Sequence, residues 1–443
     1  MTLSDSDARA DSRELARLST EALREFRERE RARYEAIKAR ATPFNLARGK
    51  PATEQVALAN QLRTAVTNPD QCWTEDGNDC RNYYGSPQGL IEARRLFAPM
   101  LGAAPEQVLV GNNSSLALMH DALVYALLTG ARDGAAPWRD QRGPIRFLCP
   151  SPGYDRHFQI CEQYAIEMIP VPLTGAGPDM DEVERLAADP TVKGMWCVPK
   201  YSNPTGETYS SETVTRLARM DAAADFRLFW DNAYAVHDLT ETPDQLDNVL
   251  EACAAAGNPD RALVFGSTSK ITFAQAGLGM MATSSANMRW FVSRHSTRTI
   301  GPDKLNQLRH VLTLRDHAGI TAHMARQRRL LEPKFAAVQE VFKSRLGARG
   351  IAAWTTPRGG YFVSLDVLDG CARRVVALAR EAGIEMVPAG RTFPNGHDPR
   401  DRNIRIAPSF PPADEVRAAV EALATCVLVA AAERLLADRG VNA

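Results

Sequence analysis

Apolar positions along the chain follow two rhythms. From about residue 106, short apolar runs alternate with stretches in which apolar residues recur every three or four positions. The runs at 107–110, 145–149, 168–171, 194–198, 227–230, 262–265 and 278–282 predict strands, and 115–129 and 213–224 predict helices among those between them. Such alternation predicts an α/β domain with a mostly parallel sheet. From 305 to 346 the pattern turns helical and charged, predicting one or two long connecting helices. A strand at 360–365, a helix at 372–382, a strand near 404–406 and a last helix at 413–439 then predict a smaller α+β domain. Ahead of the sheet, residues 13–40 combine dense charge with leucines at helical spacing, which predicts one amphipathic surface helix, packed on a partner or solvated. The run 426–432 predicts one buried face of the terminal helix.

Composition narrows the picture by exclusion. Lys+Arg and Asp+Glu each count 53 in 443 residues, so the formal charge is zero and offers no nucleic-acid footprint. No apolar run approaches the length of a membrane span, and the start lacks the apolar stretch of a signal peptide. Eight cysteines without a CxxC pair suit a reduced, cytoplasmic protein, and a Cys72–Cys80 disulfide is not expected.

Ligands of parallel sheets sit beyond the carboxyl ends of the strands, so polar residues there carry the candidate chemistry. Asn203-Pro204-Thr205-Gly206 follows one strand, Asp231-Asn232-Ala233-Tyr234 the next, and Ser267-Thr268-Ser269-Lys270 a third. Each has a plain structural reading: a turn, a helix cap and a lysine reaching for water. Together, a lysine amine, an aspartate and an asparagine on neighbouring strand tips match what pyridoxal phosphate requires. The lysine forms a Schiff base, and the carboxylate keeps the ring nitrogen protonated.

With Asn403-Ile404-Arg405-Ile406, these motifs stand in the order and at the approximate spacing of the class I and II aminotransferases, and the chain resembles that fold-type I family from about residue 46 onward. GNNSSLALMHD, CPSPGYDRHF, CVPKYSNPTG, FWDNAYAVH and NIRIAPSFPP resemble the bacterial aspartate aminotransferase subgroup typified by actinobacterial enzymes. The resemblance implies an N-terminal helix and arm at 1–60 that packs with the small domain, a large cofactor domain at 61–311 and a small domain at 312–443. Lys270 is then the Schiff-base lysine and proton carrier, Asp231 the partner of the ring nitrogen, and Tyr234 and Asn203 the pair on the ring hydroxyl. Tyr154 is the ring-stacking aromatic and His157 the group that orients Asp231. Asn113, Ser114, Ser115, Ser267 and Ser269 would hold the phosphate, with Tyr83 (or Tyr84, one residue on) reaching in from a partner subunit. Arg405 would take the substrate α-carboxylate, with Gly49 and Asn203 beside it. Many members carry a phosphate-pairing arginine eight residues after the lysine; here Leu278 stands there.

A second substrate carboxylate would need its own cation, with Arg48, Lys50, Arg294, Arg298 and Lys304 as candidates; the resemblance implies that the 296–304 segment reaches in from the other subunit. The implied activity is amino transfer from an L-amino acid, first of all aspartate, to a 2-oxo acid such as 2-oxoglutarate, in a homodimer with shared active sites and without metal. Two other readings stand beside it. One is a different pyridoxal-phosphate reaction, such as elimination or decarboxylation. The other is an aminotransferase-like effector domain of a transcription regulator, for which the short segment before residue 46 leaves little room.

Overall fold

The computed structural model describes residues 14–40, 42–83 and 85–441. Strands along the chain are β1 (Phe44–Asn45), β2 (Val108–Val110), β3 (Arg146–Ser151), β4 (Glu167–Pro172), β5 (Val192–Cys197), β6 (Arg227–Asp231), β7 (Ala262–Ser267), β8 (Gly279–Thr283), β9 (Ala352–Trp354), β10 (Val363–Val367), β11 (Ile384–Glu385) and β12 (Asn403–Ile406). The main sheet has the order β2-β8-β7-β6-β5-β3-β4. Pairs from β4 through β7 are parallel, and β8 runs antiparallel to both its neighbours. A second sheet, β12-β10-β9, is antiparallel, and β1 pairs in parallel with β11.

Burial on both faces explains the continuous apolar runs. Every residue of β5, β6 and β7 is buried, as expected for strands covered by helices on two sides. Leu228, Trp230, Ala262 and Val264 pack into the core on one face. Phe229, Leu263 and Phe265 pack into the core on the other. The alternation is the two-residue period of a strand, hidden in the sequence because both faces are apolar.

The helix Ser115–Thr129 falls where the pattern predicts it. The one expected at 213–224 runs Ser211–Arg219 and stops as Met220 turns extended. The long connection is two helices, Lys304–Leu314 and His317–Arg345. The second passes between cores: Ile320 and Met324 pack beneath the main sheet, whereas Leu331 to Phe342 contribute to the core of the small domain.

That second core corrects two expectations. Every residue from Ala422 to Leu428 and on to Ala432 in the terminal helix Ala413–Asp438 is buried, so this helix has no solvated face at its middle. It is enclosed by Thr20–Arg40, His317–Arg345 and Ala372–Glu381. The N-terminal helix is therefore not free: Leu23, Phe26 and Tyr34 belong to the core of their own chain. Tyr34 Oη donates to Leu378 O at 3.2 Å. Buried Glu30 accepts from Arg33 at 2.6 Å and from Arg345 at 3.0 Å, so its carboxylate is paired as burial demands.

Two stability outcomes follow. Phe26→Ala removes a ring that is 2% exposed and is expected to lower unfolding free energy by about 3–5 kcal/mol in denaturant titration. A change below about 1 kcal/mol would separate this helix from the cooperative core. The second concerns Glu207, in the turn after β5, whose Oε1 accepts from Gly177 N at 3.1 Å. Burial pushes its carboxyl up to about 7. A raised folded-state pKa means that this group's contribution is present at low pH and is lost as pH rises through about 7. Glu207→Gln is therefore expected to raise Tm at pH 8 more than at pH 5; equal shifts at both would show that Glu207 is not held protonated.

Candidate active site

A cavity of about 630 Å³ opens where the carboxyl ends of β5, β6 and β7 face the small domain. Its lining includes Gly49, Ser114, Ser115, Tyr154, Asn203, Asp231, Tyr234, Ser267, Ser269, Lys270 and Arg405. Residues distant in sequence meet here because parallel strands end on one side and the loops that follow them share that edge.

Asp231 ends β6, 3% exposed. Its Oδ2 lies 3.1 Å from His157 Nε2. The imidazole is stacked on Trp196, centroids 4.4 Å apart and planes 9° off parallel, which fixes the orientation of the ring. Oδ1 is buried with no hydrogen-bond partner among the described residues. A buried carboxylate oxygen in that state is costly until a donor meets it.

Lys270 follows the tip of β7. Its Nζ stands 5.0 Å above the centroid of Tyr234. Removal from water pulls its pKa below the usual lysine value; the Asp231 carboxylate opposes this and the Arg405 guanidinium adds to it. A lowered amine is a better nucleophile and base near neutral pH. Burial likewise pushes Tyr154 up to about 12, with Asp231 the next contributor. It pushes Tyr234 well above its ordinary value. Both phenols stay protonated and can donate into the cavity.

Arg405, on β12, makes only long contacts. Nη1 lies 3.4 Å from Asp155 Oδ1 and from Asn203 Oδ1, and Nη2 lies 3.4 Å from Ala47 O. Its Nε is buried without a partner. Its guanidinium lies over the Phe362 ring, 4.8 Å from the centroid. A Cβ at Gly49 would collide with that same ring, so glycine at 49 is what lets the 46–50 segment close over Arg405.

The remaining candidates divide. Ser114 caps the helix Ser115–Thr129 and accepts from Ala117 N at 3.2 Å; the cavity therefore meets the start of a fifteen-residue helix, where backbone N–H groups favour anions. Asn113 is turned away, its Nδ2 donating to Gln275 O at 2.9 Å. Tyr83 is 85% exposed and is not part of the lining within one chain; Tyr84 lies outside the described residues. Leu278 is fully buried in the core beneath the sheet.

Of the five candidate cations, Arg48 alone reaches the cavity within one chain, among the described residues. Lys50 sits over the Phe410 ring at 3.7 Å, Arg294 pairs with Asp133, Arg298 pairs with Asp121, and the Lys304 side chain packs against Gly85. Sequence reasoning missed Arg156 and Arg391, which line the cavity. Arg156 was within sight, two residues past Tyr154. Arg391 had no signal, because it follows the two-residue strand β11.

These residues fit pyridoxal phosphate. A carboxylate with one unpartnered buried oxygen, a buried amine of lowered pKa, protonated phenols and a helix start flanked by the Ser267 and Ser269 hydroxyls match its ring nitrogen, aldehyde, ring oxygen and phosphate in turn.

Comparison with known proteins agrees. The family model described as aspartate amino-transferase matches residues 18–439. An aminotransferase of Mycolicibacterium smegmatis is 51% identical over 409 residues, 92% of this chain and 95% of the relative. The aspartate aminotransferase of Corynebacterium glutamicum is 45% identical over 409 residues, covering 92% and 94%. The crystal structure of an aspartate transaminase from that organism superposes with a TM-score of 0.92 at 44% identity, over 96% of this chain and 100% of that one. A Thermus thermophilus α-aminoadipate aminotransferase complexed with N-(5'-phosphopyridoxyl)-L-leucine shares the fold at 21% identity, with a TM-score of 0.71 over 98% and 100%. No described helix is long and apolar enough to cross a membrane. The chain belongs to the aspartate amino-transferase family, as a pyridoxal-phosphate-dependent aminotransferase of fold type I.

Proposed function

We propose that the chain moves the amino group of L-aspartate to 2-oxoglutarate, with Lys270 as covalent anchor of the cofactor and as the proton carrier. The observation that supports this most is the shared cavity of Lys270, Asp231 with its unpartnered Oδ1, and Arg405. When bound, pyridoxal phosphate supplies a protonated ring that accepts the electrons left on the substrate α-carbon. Asp231 keeps the ring nitrogen protonated, and His157 holds that carboxylate in place through Oδ2. Tyr234 and Asn203 hold the ring hydroxyl, and Tyr154 covers a ring face. The 115–129 helix start and the hydroxyls of Ser114, Ser267 and Ser269 take the phosphate, in place of an arginine at 278.

Arg405 orients the substrate. A guanidinium grips a carboxylate by two parallel hydrogen bonds, a geometry an ammonium cannot copy. Its present contacts, all at 3.4 Å, are at the long end for hydrogen bonds and readily exchanged. With the α-carboxylate seated there, Lys270 Nζ takes a proton from the α-carbon and returns it on the other side of the transfer. Its lowered pKa lets it act as base without a further group. A dicarboxylic substrate also suits the cavity's surplus of guanidinium: Arg48, Arg156 and Arg391 stand there besides Arg405.

We also propose a homodimer that completes this site. Exposed Tyr83 (85%) and Ile300 (76%) flank the Gly85–Lys304 contact, and apolar side chains left open in this way suit a covering partner. A cytoplasmic setting is supported by eight cysteines that are all free and buried.

Three outcomes are expected. Adding L-aspartate to the yellow holoenzyme should bleach its visible band, and 2-oxoglutarate should restore it; a band indifferent to aspartate but responsive to another amino acid would replace the proposed donor. Lys270→Ala should lower kcat by at least about 10³-fold, and normal turnover would remove Lys270 from the mechanism. Tyr83→Ala should weaken both cofactor retention and self-association in sedimentation, whereas a fully active monomer would count against a shared site.

A further inference from the structure

Asp155 is a carboxylate placed among the cations of an anion pocket. It opens the helix Asp155–Gln163 on the main-sheet side of the cavity, directly after the loop from β3. Its Oδ1 lies 3.4 Å from Arg405 Nη1, and its Oδ2 lies 4.0 Å from Arg391 Nε. Both arginines belong to the other side: Arg405 to β12, and Arg391 to the segment that follows β11. The junction is closed by backbone as well, since Gly153 N donates to Thr392 O at 2.7 Å.

One carboxylate thus stands within ion-pair range of two guanidinium groups that reach the cavity from separate segments. Like charges at close range repel, and a shared counter-charge holds them together. The contact to Arg391 is through Nε, which leaves both of its terminal nitrogens for a carboxylate. Arg156 and Arg48 lack this link: Arg156 is exposed and donates to Gln159 of its own helix at 2.9 Å, and Arg48 is exposed.

We propose that Asp155 is a positioning residue that fixes Arg391 at a set distance from Arg405, and that Arg391 thereby reads the second carboxylate of the substrate. The proposal rests on the dicarboxylate reading above. A substrate with one carboxylate uses Arg405; a substrate with two uses the pair. Asp155 itself touches no reacting atom.

The test compares kcat/KM for L-aspartate and L-alanine in the wild-type holoenzyme, Asp155→Asn, Arg391→Ala and the double variant. Melting temperature and the cofactor band serve as checks on folding. Losing a charge-assisted contact should reduce the aspartate-to-alanine ratio about tenfold or more in Arg391→Ala. Asp155→Asn should reduce it in the same direction, and the double variant should fall no further than the larger single change, since coupled residues are not additive. Inhibition by succinate should weaken in step, with inhibition by propionate held. An unchanged ratio in Arg391→Ala would overturn the inference, as would equal losses for both amino acids in Asp155→Asn. If that variant does not fold, Arg391→Ala decides alone, because its side chain is 40% exposed. A wild type without preference for aspartate over alanine would instead sink the proposed substrate, and this inference with it.

Discussion

A buried carboxylate with one oxygen held and one free is the constraint on which the site depends. Asp231 ends a strand whose every residue is buried, where an ionised group survives only with partners. His157 supplies one, and the flat stack on Trp196 prevents the imidazole from turning away. The free Oδ1 then asks for a proton-bearing group from the cavity. The same charge partly offsets the desolvation of Lys270. One aspartate thus presents an unpartnered acceptor and offsets part of the desolvation of the amine beside it.

The strand tips were legible because their physics is local. A lysine, an aspartate and an Asn-Pro turn, each directly after an apolar run, can be placed without knowing the packing. His157 was legible only through resemblance, since its value lies in a stack with Trp196 thirty-nine positions away. Arg391 was not legible at all. It lies in the loop after a pair of two-residue strands, β1 and β11, too short to leave a period in the sequence. The five candidate cations make the same point from the other side: within one chain four of them are engaged elsewhere, by Phe410, Asp133, Asp121 and the packing at Gly85. Charge type is visible in a sequence, but its partner is not.

The terminal helix teaches the same lesson for the fold. A run such as 426–432 implies burial of one face, yet the residues 422–432 are enclosed on all sides. The covering element is the N-terminal helix, four hundred residues earlier in the chain, whose mixed charge suggested a surface position. Its buried face is narrow: Leu23, Phe26, Glu30 and Tyr34. Three apolar contacts and one paired carboxylate suffice there, and the remaining charges face water, so the helical average hides the stripe.

Leu278 ties fold to chemistry. It is packed under the sheet, its backbone N–H donates to Thr268 Oγ1 at 2.8 Å, and its carbonyl accepts from Thr268 N at 2.8 Å. This rung pins the loop that carries Ser269 and Lys270. The position thus serves the lysine through backbone geometry, with no charge of its own. A guanidinium there would add to the cationic field that Arg405 already exerts on Lys270, lowering the amine further. In the proposed site neutral donors take the phosphate, which leaves the amine's balance to Asp231 and Arg405. Four guanidinium groups, those of Arg48, Arg156, Arg391 and Arg405, line the same cavity, where a carboxylate substrate would meet them.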